Sequence, residues 1–388
     1  MMTTLRHTMA AAAGLLMALT LLVGCEREPE LHLFDGADLE VNFPSVSLEL
    51  NTYWNYKLVY GINYDWEAEW YYGWDERDRQ TFGELGYVEP TVFQLRRYYT
   101  GDTNHGRHLS AQVDTVQGKS FLGKYNWGFW DILVWNDIHT IDGVQNLNFD
   151  EPASLGPVTA WTNQTMRSSR YSHKYQRSFY QPEPLFAAYE EGIEISRDLK
   201  GFELDTVRNI YVKKLNMLLH PLTYIYLTQV ILHNNNNKVM DVDGVANLSG
   251  MARSTVLNTG VTGSDEITVD YNVLFKKGCN MNGESVDIVG GRLVTFGMCN
   301  FNPNQVTRAE DVPATGRHFI DVTMTFNNGT DSTFVFDVTQ QVRQRYKGGV
   351  ITVELDMDTI PIPRRSGGSA FDAVVKDYED GGTHEFEM

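Results

Sequence analysis

The sequence is poor in cysteine and in basic residues, and both shortages exclude classes of function. Only three cysteines occur in 388 residues, and no two of them have the Cys-x-x-Cys spacing of zinc and dithiol redox sites. Lysine and arginine number 32 against 50 aspartates and glutamates, so the formal net charge is −18. A surface of this sign repels nucleic acid and anionic lipid headgroups. The sequence therefore predicts no nucleic-acid partner and no cysteine-based metal site.

Short catalytic and cofactor-binding motifs are missing as well. There is no Gly-x-Ser-x-Gly nucleophile elbow, no His-Glu-x-x-His, no Gly-x-x-x-x-Gly-Lys-Ser/Thr phosphate loop and no dinucleotide fingerprint between a strand and a helix. The oxygen-rich residues 241–244 lack the ligand spacing of an EF-hand, so they are interpreted as a polar turn. The acids Asp137, Asp142, Asp150 and Glu151 are interpreted as solvated loop residues, with a catalytic carboxylate pair as the alternative. We therefore predict a protein that is not an enzyme and that has no cofactor and no metal.

One long apolar run is present, and it lies near the N-terminus. It covers residues 9–23 after the basic Arg6 and is shorter than a helix that crosses a bilayer, which needs about 20 residues. A secretory signal peptide has these proportions. The run ends at Gly24-Cys25, where a small residue precedes a cysteine as in bacterial lipoprotein processing sites. We therefore predict a lipoprotein signal peptide over residues 1–24 and lipidation of Cys25, with a plain secretory signal and an incidental cysteine as the alternative.

Lipidation would fix the location of the protein. Two or three acyl chains on Cys25 hold a protein at a membrane, because each buried methylene contributes about 0.8 kcal/mol. The polar residues 25–40 are predicted to be an extended tether. Glu26 and Glu28, directly after the cysteine, resemble the surface-export signal of Bacteroidota lipoproteins. The predicted location is the outer membrane, with the protein lipid-anchored at the cell surface.

From Val41 onward the dominant hydrophobic period is two, which is the period of half-buried strands. The strand candidates are residues 91–99, 128–135, 192–196, 212–219, 223–232, 320–326, 334–338 and 351–355. Asn328-Gly329 between two of them predicts a hairpin with a tight primed turn. The best helix signal is residues 183–191, which are opened by prolines and closed by a glycine.

These strands predict an all-β fold made of two antiparallel β-sandwich domains in tandem, after the lipoprotein signal peptide. We place the domain boundary near residues 260–264, where threonine, glycine and serine cluster. The N-terminal sandwich then covers residues 41–262. The C-terminal sandwich covers residues 263–388 and ends in a polar tail with a short strand at 371–375.

Two groups of residues are candidates for binding or for a covalent link. Trp66, Trp70 and Trp74 recur at four-residue intervals among acidic residues, as in a platform on which sugars stack. The favoured interpretation is that the rings face a core, because strand alternation puts Trp66 and Trp70 on the apolar face. In an exported protein Cys279 and Cys299 could form a disulfide, or they could be two buried thiols. Both alternatives stay open.

Three stretches of the chain carry a family resemblance. They are Asn63-Tyr64-Asp65-Trp66 through Gly73-Trp74-Asp75, Tyr224-Ile225-Tyr226-Leu227-Thr228-Gln229-Val230, and Val245-Ala246-Asn247-Leu248-Ser249-Gly250-Met251-Ala252. Together they resemble the fimbrillin-like lipoproteins of gut Bacteroidales, a broad group of fimbrial subunits and fimbrial anchors. The resemblance implies two transthyretin-like sandwiches after a lipidated cysteine, here Cys25, and joining of subunits by insertion of a strand from one chain into the next.

The sequence departs from that group in one respect. Polymerising stalk subunits usually carry a propeptide that ends at an arginine some tens of residues after the cysteine. Here Arg27 is too close to the cysteine, and Arg77 and Arg79 lie in an apparent strand region. The departure favours an anchor, a tip or a solitary surface protein.

The sequence therefore predicts a noncatalytic, lipid-anchored surface protein of fimbrillin type that acts in adhesion or as a fimbrial anchor or accessory subunit. Its predicted partners are the membrane, through the lipid, then other fimbrial subunits, and glycans or host surface ligands. The alternative is a surface glycan-binding lipoprotein, and an extracellular hydrolase without a recognisable motif ranks last. Residues 371–375 are interpreted as the last strand of their own domain, with a strand donated to another subunit as the alternative.

Overall fold

Strands account for most of the described chain, as the period-two pattern predicts, and the all-β class is confirmed. The computed structural model describes residues 46–53, 68–104, 106–140, 145–150, 156–166, 178–306, 308–312, 316–363 and 373–375. The predicted signal peptide and tether, with Cys25, lie outside this part of the chain. Over the residues described, no helix combines the length and the apolar character needed to cross a membrane.

The elements are short and follow one another closely. The strands are β1 Val46–Tyr53, β2 Val92–Gly101, β3 Ser110–Gln117, β4 Ser120–Lys124, β5 Gly128–Asn136, β6 Leu147–Asp150, β7 Thr159–Thr162, β8 Ser178–Phe179, β9 Phe186–Ile195, β10 Glu203–Asp205, β11 Ile210–Leu218, β12 His220–Pro221, β13 Tyr224–His233, β14 Val239–Val242, β15 Val245–Ala252, β16 Ser254–Val256, β17 Glu266–Met281, β18 Glu284–Thr295, β19 Phe319–Phe326, β20 Asp331–Asp337, β21 Gly349–Asp356 and β22 Ala373–Val375. The helices are α1 Glu76–Phe82 and α2 Thr339–Gln344, and 3-10 turns lie at Ile138–Thr140 and Ala309–Asp311.

The chain divides into two compact units. One consists of Met1–Val46 and Leu204–Tyr211, and its second segment is a turn in which the Asp205 carboxylate accepts hydrogen bonds from the backbone N–H groups of Val207 and Arg208. The other consists of Ser47–Glu203 and Val212–Met388, and it contains the ten-stranded, five-stranded and three-stranded sheets described next.

The largest sheet has the strand order β21-β13-β18-β17-β15-β19-β20-β22, with β14 paired to β19 and β8 to β17. Strand β17 is 16 residues long and changes partner along its length: Glu266 to Asn272 pair with β15, and Val273 to Met281 pair with β18. Most pairs are antiparallel, but β13–β21, β17–β8 and β20–β22 are parallel. The main core cluster takes side chains from β13, β15, β17, β18, β19, β20 and β21. This sheet therefore contains strands from both predicted domain ranges, and the boundary at residues 262 and 263 stays a prediction.

A second core lies between smaller sheets. The five-stranded sheet has the order β12-β9-β5-β2-β3, and β7 lies between β16 and β6 in a three-stranded sheet. Tyr98, Leu133 and Trp135 of the first sheet pack with Leu147 and Ala160 of the second. Strand β5 is buried along most of its length, which explains why its sequence is almost continuously apolar. A further sheet places β1 between β11 and β4.

The hairpin between β19 and β20 forms where the sequence predicts it, but its turn differs. Gly329 has φ of 73°, whereas Asn328 is not in the positive-φ region that a two-residue primed turn requires at both central residues. The N–H of Gly329 donates to Phe326 O, and the N–H of Phe326 donates to Thr330 O. The connection is therefore a three-residue loop, and the prediction of a primed turn is wrong.

The helix predicted over residues 183–191 is also wrong, because β9 occupies this region. It pairs with β5 from Ala187 opposite Trp135 to Ile195 opposite Gly128. Glu183 belongs to a loop contact instead, since its carboxylate accepts hydrogen bonds from the N–H groups of Asn146 and Leu147. The packing of apolar side chains on β5 outweighs a weak local helix preference.

A buried histidine makes the stability of this fold depend on pH. His318 is 1% exposed, its Nδ1 lies 3.3 Å from Ser249 O, and its Nε2 has no hydrogen-bond partner among the described residues. Burial lowers the pKa of His318. Below about pH 6.5 the unfolded chain therefore binds a proton at this residue that the folded chain does not bind, and the free energy of unfolding falls. We expect the unfolding midpoint to fall between pH 7.5 and 5.5 by more in the native chain than in His318→Gln. Equal pH profiles would contradict this.

Candidate functional site

Two tryptophans of the predicted platform, Trp70 and Trp74, lie in a packed segment, residues 69–86. Trp66 is outside the described residues. Trp70 is 6% exposed, and its indole N–H donates to Gly73 O at 2.9 Å. Trp74 is half-buried, and its ring centroid lies 5.5 Å from that of Phe82. The rings of Trp70 and Trp74 therefore pack in a cluster with side chains of β13, β18 and β21.

Helix α1 lies in this segment, so the strand-like assignment of Arg77 and Arg79 is wrong. The Asp75 carboxylate accepts from Asp78 N at 3.1 Å, and the Asp78 carboxylate accepts from Asp75 N at 2.7 Å. This reciprocal capping box satisfies two N–H groups that an isolated helix terminus leaves without partners. The alternation of aromatic and acidic residues before the helix does not continue through it.

Buried polar side chains of the large sheet hold the 69–86 segment in place. Gln229 of β13 is fully buried. Its amide donates to Glu69 O at 2.7 Å, and its carbonyl accepts from Tyr71 N at 3.0 Å. The guanidinium of Arg292 donates to Leu85 O at 3.2 Å. Both ends of the segment therefore bind the sheet through their main-chain groups.

The centre of the segment is held by an ion pair. Asp78 is fully buried, and its carboxylate accepts hydrogen bonds from the Tyr72 hydroxyl at 2.9 Å and from the Lys276 ammonium. Lys276 Nζ also lies 2.9 Å from Asp75 Oδ2 and 4.2 Å from the centre of the Tyr72 ring. The hydrogen bond from Lys276 lowers the pKa of Asp75 to about 2. Burial, followed by the hydrogen bond to Asp78, raises the pKa of Tyr72.

No disulfide joins Cys279 and Cys299. Cys279 is half-buried near the hairpin tip, opposite Val286, and Cys299 is buried in the second core. Strand β18 runs from beside Cys279, at Val286, to its end at Thr295, shortly before Cys299. The extended chain between Val286 and Thr295 is about 30 Å long, so the two cysteines lie far apart. A disulfide needs Cα atoms within about 7 Å. In this structure the two cysteines are not joined, and the state of their thiols stays a prediction.

The acidic groups considered as ligands serve local structure. Asp241 accepts a hydrogen bond from Val242 N, and Asp137 accepts one from His139 N. Asn234, Asn236 and Asn237 have positive φ, as turn residues do. Asp142 and Glu151 lie outside the described residues. Within the described part of the chain, no group of three or more His, Cys, Asp or Glu side chains could hold a metal ion.

The feature with a clear capacity for binding is the β20 edge, the side of strand β20 that faces away from β19. Three residues of the C-terminal tail pair with it in parallel, Ala373 with Phe334, Val374 with Val335 and Val375 with Phe336. Strand β20 has seven residues, so β22 covers fewer than half of them. The edge therefore accepts an added strand through main-chain groups.

Two contacts define the ends of this edge. At its start, the Asn328 amide donates to Pro363 O at 2.6 Å, so Pro363 lies beside the hairpin turn that precedes β20. At its end, Asp337 accepts hydrogen bonds from Thr339 N and from the Arg317 guanidinium. Burial alone would raise the pKa of Asp337, but these hydrogen bonds hold it below its usual value.

Comparison with known proteins gives structural neighbours only. No protein-family model matches the chain, and no curated protein matches it. Solved structures similar to this chain include a candidate adhesin from Bacteroides ovatus, with 12% identity over 82% of this chain and 95% of that chain and a TM-score of 0.45. A second is the fimbrial anchor protein Mfa2 from Porphyromonas gingivalis, with 12% identity over 88% of this chain and 95% of that chain and a TM-score of 0.39. A third is the tip fimbrial protein Mfa3 from the same species, with 9% identity over 89% of this chain and 99% of that chain and a TM-score of 0.33. These neighbours are of the kinds that the sequence resemblance names.

Proposed function

We propose that this chain is a noncatalytic, lipid-anchored protein of the outer membrane that acts at the cell surface in adhesion, or as a fimbrial anchor or accessory subunit. Its contacts with other subunits are made by strand addition. The lipid anchor rests on the Gly24-Cys25 site in the sequence. The strand-mediated contact rests on one structural observation, the parallel pairing of the tail strand β22 with the β20 edge.

This pairing supports the proposal because of the chemistry of strand addition. Main-chain N–H and C=O groups supply the affinity, and these groups are the same in every strand. An edge that accepts three residues of its own tail can therefore accept a strand of another chain, and the tail strand can pair with another edge. Phe334 and Phe336 of β20 are each 2% exposed, so the strand itself is fixed firmly in the core.

The test is a truncated chain and a tail peptide. Deletion of residues 364–388 removes β22, and we expect the truncated chain to bind a synthetic peptide of residues 370–380. The intact chain is expected to bind the same peptide at least tenfold more weakly, because its own tail competes at high effective concentration. Fluorescence anisotropy of a labelled peptide measures both affinities, and thermal unfolding shows that the truncated chain remains folded.

A proline peptide provides the control. Successive N–H groups of a strand point to opposite sides, so proline at both 374 and 375 removes one N–H that faces β20. This peptide should not bind. Equal binding of both peptides, or no binding of the native peptide to a folded truncated chain, would refute strand addition at the β20 edge.

A further inference from the structure

A cavity of about 420 Å³ lies in the larger unit, away from the β20 edge and from the 69–86 segment. Its walls include Tyr189, His220, Asn258, Asn304 and Lys347. This volume is at the small end of the range for ligand sites, about 300–1,000 Å³, so the cavity suits one small molecule. The residues that line it include two basic side chains and no aspartate or glutamate, in a chain whose formal net charge is −18.

The two basic groups are not neutralised by an acidic partner, although the Lys347 ammonium lies 5.8 Å from the centre of the Tyr346 ring. Burial lowers the pKa of Lys347. Burial and then the positive charge of Lys347 lower the pKa of His220. Among the described residues, neither side chain has a carboxylate within ion-pair distance. The other titratable residues of the wall are Tyr189 and Tyr224, and burial raises the pKa of each. An anion between Lys347 and His220 would offset the repulsion between them and the partial desolvation of Lys347, whereas His220 is itself exposed.

The rest of the wall is suited to hydroxyl groups. Asn258 Oδ1 accepts from Val158 N at 3.2 Å, which leaves its NH₂ group as a donor. Asn304 Nδ2 donates to Thr259 O at 3.0 Å, which leaves its Oδ1 as an acceptor. Tyr189 adds an aromatic ring to the same wall. An aromatic ring with a hydrogen-bond donor and a hydrogen-bond acceptor in the same wall is typical of a site that binds a sugar.

We propose that this cavity binds an acidic monosaccharide, with its carboxylate between Lys347 and His220 and its hydroxyls at Asn258 and Asn304. The site is separate from the β20 edge, so a negative result for one of these proposals leaves the other unaffected. It also lies elsewhere than the tryptophans that the sequence suggested as a sugar platform.

The test is calorimetric titration of the chain with D-glucuronate, D-glucose and acetate. Glucuronate is expected to bind at least tenfold more tightly than either of the other two, because only it carries the carboxylate and the hydroxyls together. Lys347→Gln is expected to weaken glucuronate binding about tenfold or more, the usual loss when a charged hydrogen-bond donor is removed. Lys347→Arg should keep most of the affinity, and Lys200→Gln, the same change at an exposed lysine, should keep all of it.

Three results would overturn the proposal. They are glucose binding as tightly as glucuronate, acetate binding as tightly as glucuronate, and no difference between Lys347→Gln and Lys200→Gln. The first and second need only the native chain, so they decide the matter even if a substitution disturbs folding. Thermal unfolding of each variant provides the folding control.

Discussion

Replacing Asp78 with alanine is expected to lower the free energy of unfolding by about 3–5 kcal/mol, the usual cost of removing one partner of a buried ion pair. Asp78 is fully buried, and its carboxylate serves Tyr72, Lys276 and the N–H of Asp75 at once. The substitution leaves the Tyr72 hydroxyl without its acceptor, takes one of two carboxylate partners from the Lys276 ammonium, and breaks the capping box of α1. Chemical denaturation followed by tryptophan fluorescence measures the loss, because Trp70 and Trp74 lie in the same segment.

Two further variants test whether the loss of stability comes from the buried ion pair. Glu76 lies in the same helix, and its side chain is 70% exposed in an ion pair with Arg79. Glu76→Ala should therefore cost no more than about 1 kcal/mol. The double variant Asp78→Ala, Lys276→Met should recover part of the loss, because it removes a partly buried ammonium that the single variant leaves with one of its two carboxylate partners, Asp75. If Asp78→Ala behaved like Glu76→Ala, the ion pair would not hold the segment.

The sequence predicts strands well where alternation and packing agree. Strands β2, β5, β13 and β21 form within a few residues of their predicted limits, because each has an apolar face that must be buried somewhere. The pattern does not specify the partner. Nothing in residues 349–356 shows that β21 runs parallel to β13, since parallel and antiparallel strands bury similar faces.

The 69–86 segment shows why local pattern fails elsewhere. Its aromatic residues resemble a strand, yet its conformation depends on Gln229 and Lys276, which lie far away in the sequence. One signal was present. Gln229 is a polar residue in an apolar strand, and a buried amide needs partners. The sequence could show that such partners must exist, but only the structure identifies them as main-chain groups of residues 69 and 71.

One of the two candidate binding sites could be predicted from the sequence, and the other could not. The tail strand at 371–375 is visible as a short apolar alternation, and β22 forms within it. The cavity beside Lys347 is not visible, because its residues come from β9, β12, β13 and four separate loops. An absence of acids around two bases is a property of the fold, and no linear motif records it.

Replacing Cys25 with alanine is expected to abolish acylation completely. If the Gly24-Cys25 site is processed as predicted, the thiol of Cys25 is the only attachment point for the first lipid. In cells grown with labelled palmitate, the native chain should carry label and enter the detergent phase on phase partition, whereas Cys25→Ala should carry none. Cys279→Ala removes a different thiol, half-buried in β17, and should be labelled like the native chain.

The number of acyl chains determines how strongly the protein partitions into the detergent phase. At about 0.8 kcal/mol per buried methylene, one acyl chain gives only reversible binding, and two or three make release negligible. The acidic body adds no attraction to anionic headgroups, so a chain made without residues 1–24, and therefore without lipid, should remain entirely in the aqueous phase. Label on Cys25→Ala, or an unacylated native N-terminal peptide in mass spectrometry, would refute the lipid anchor. Neither result would affect the β20 edge or the Lys347 cavity, because both are built from residues beyond the tether.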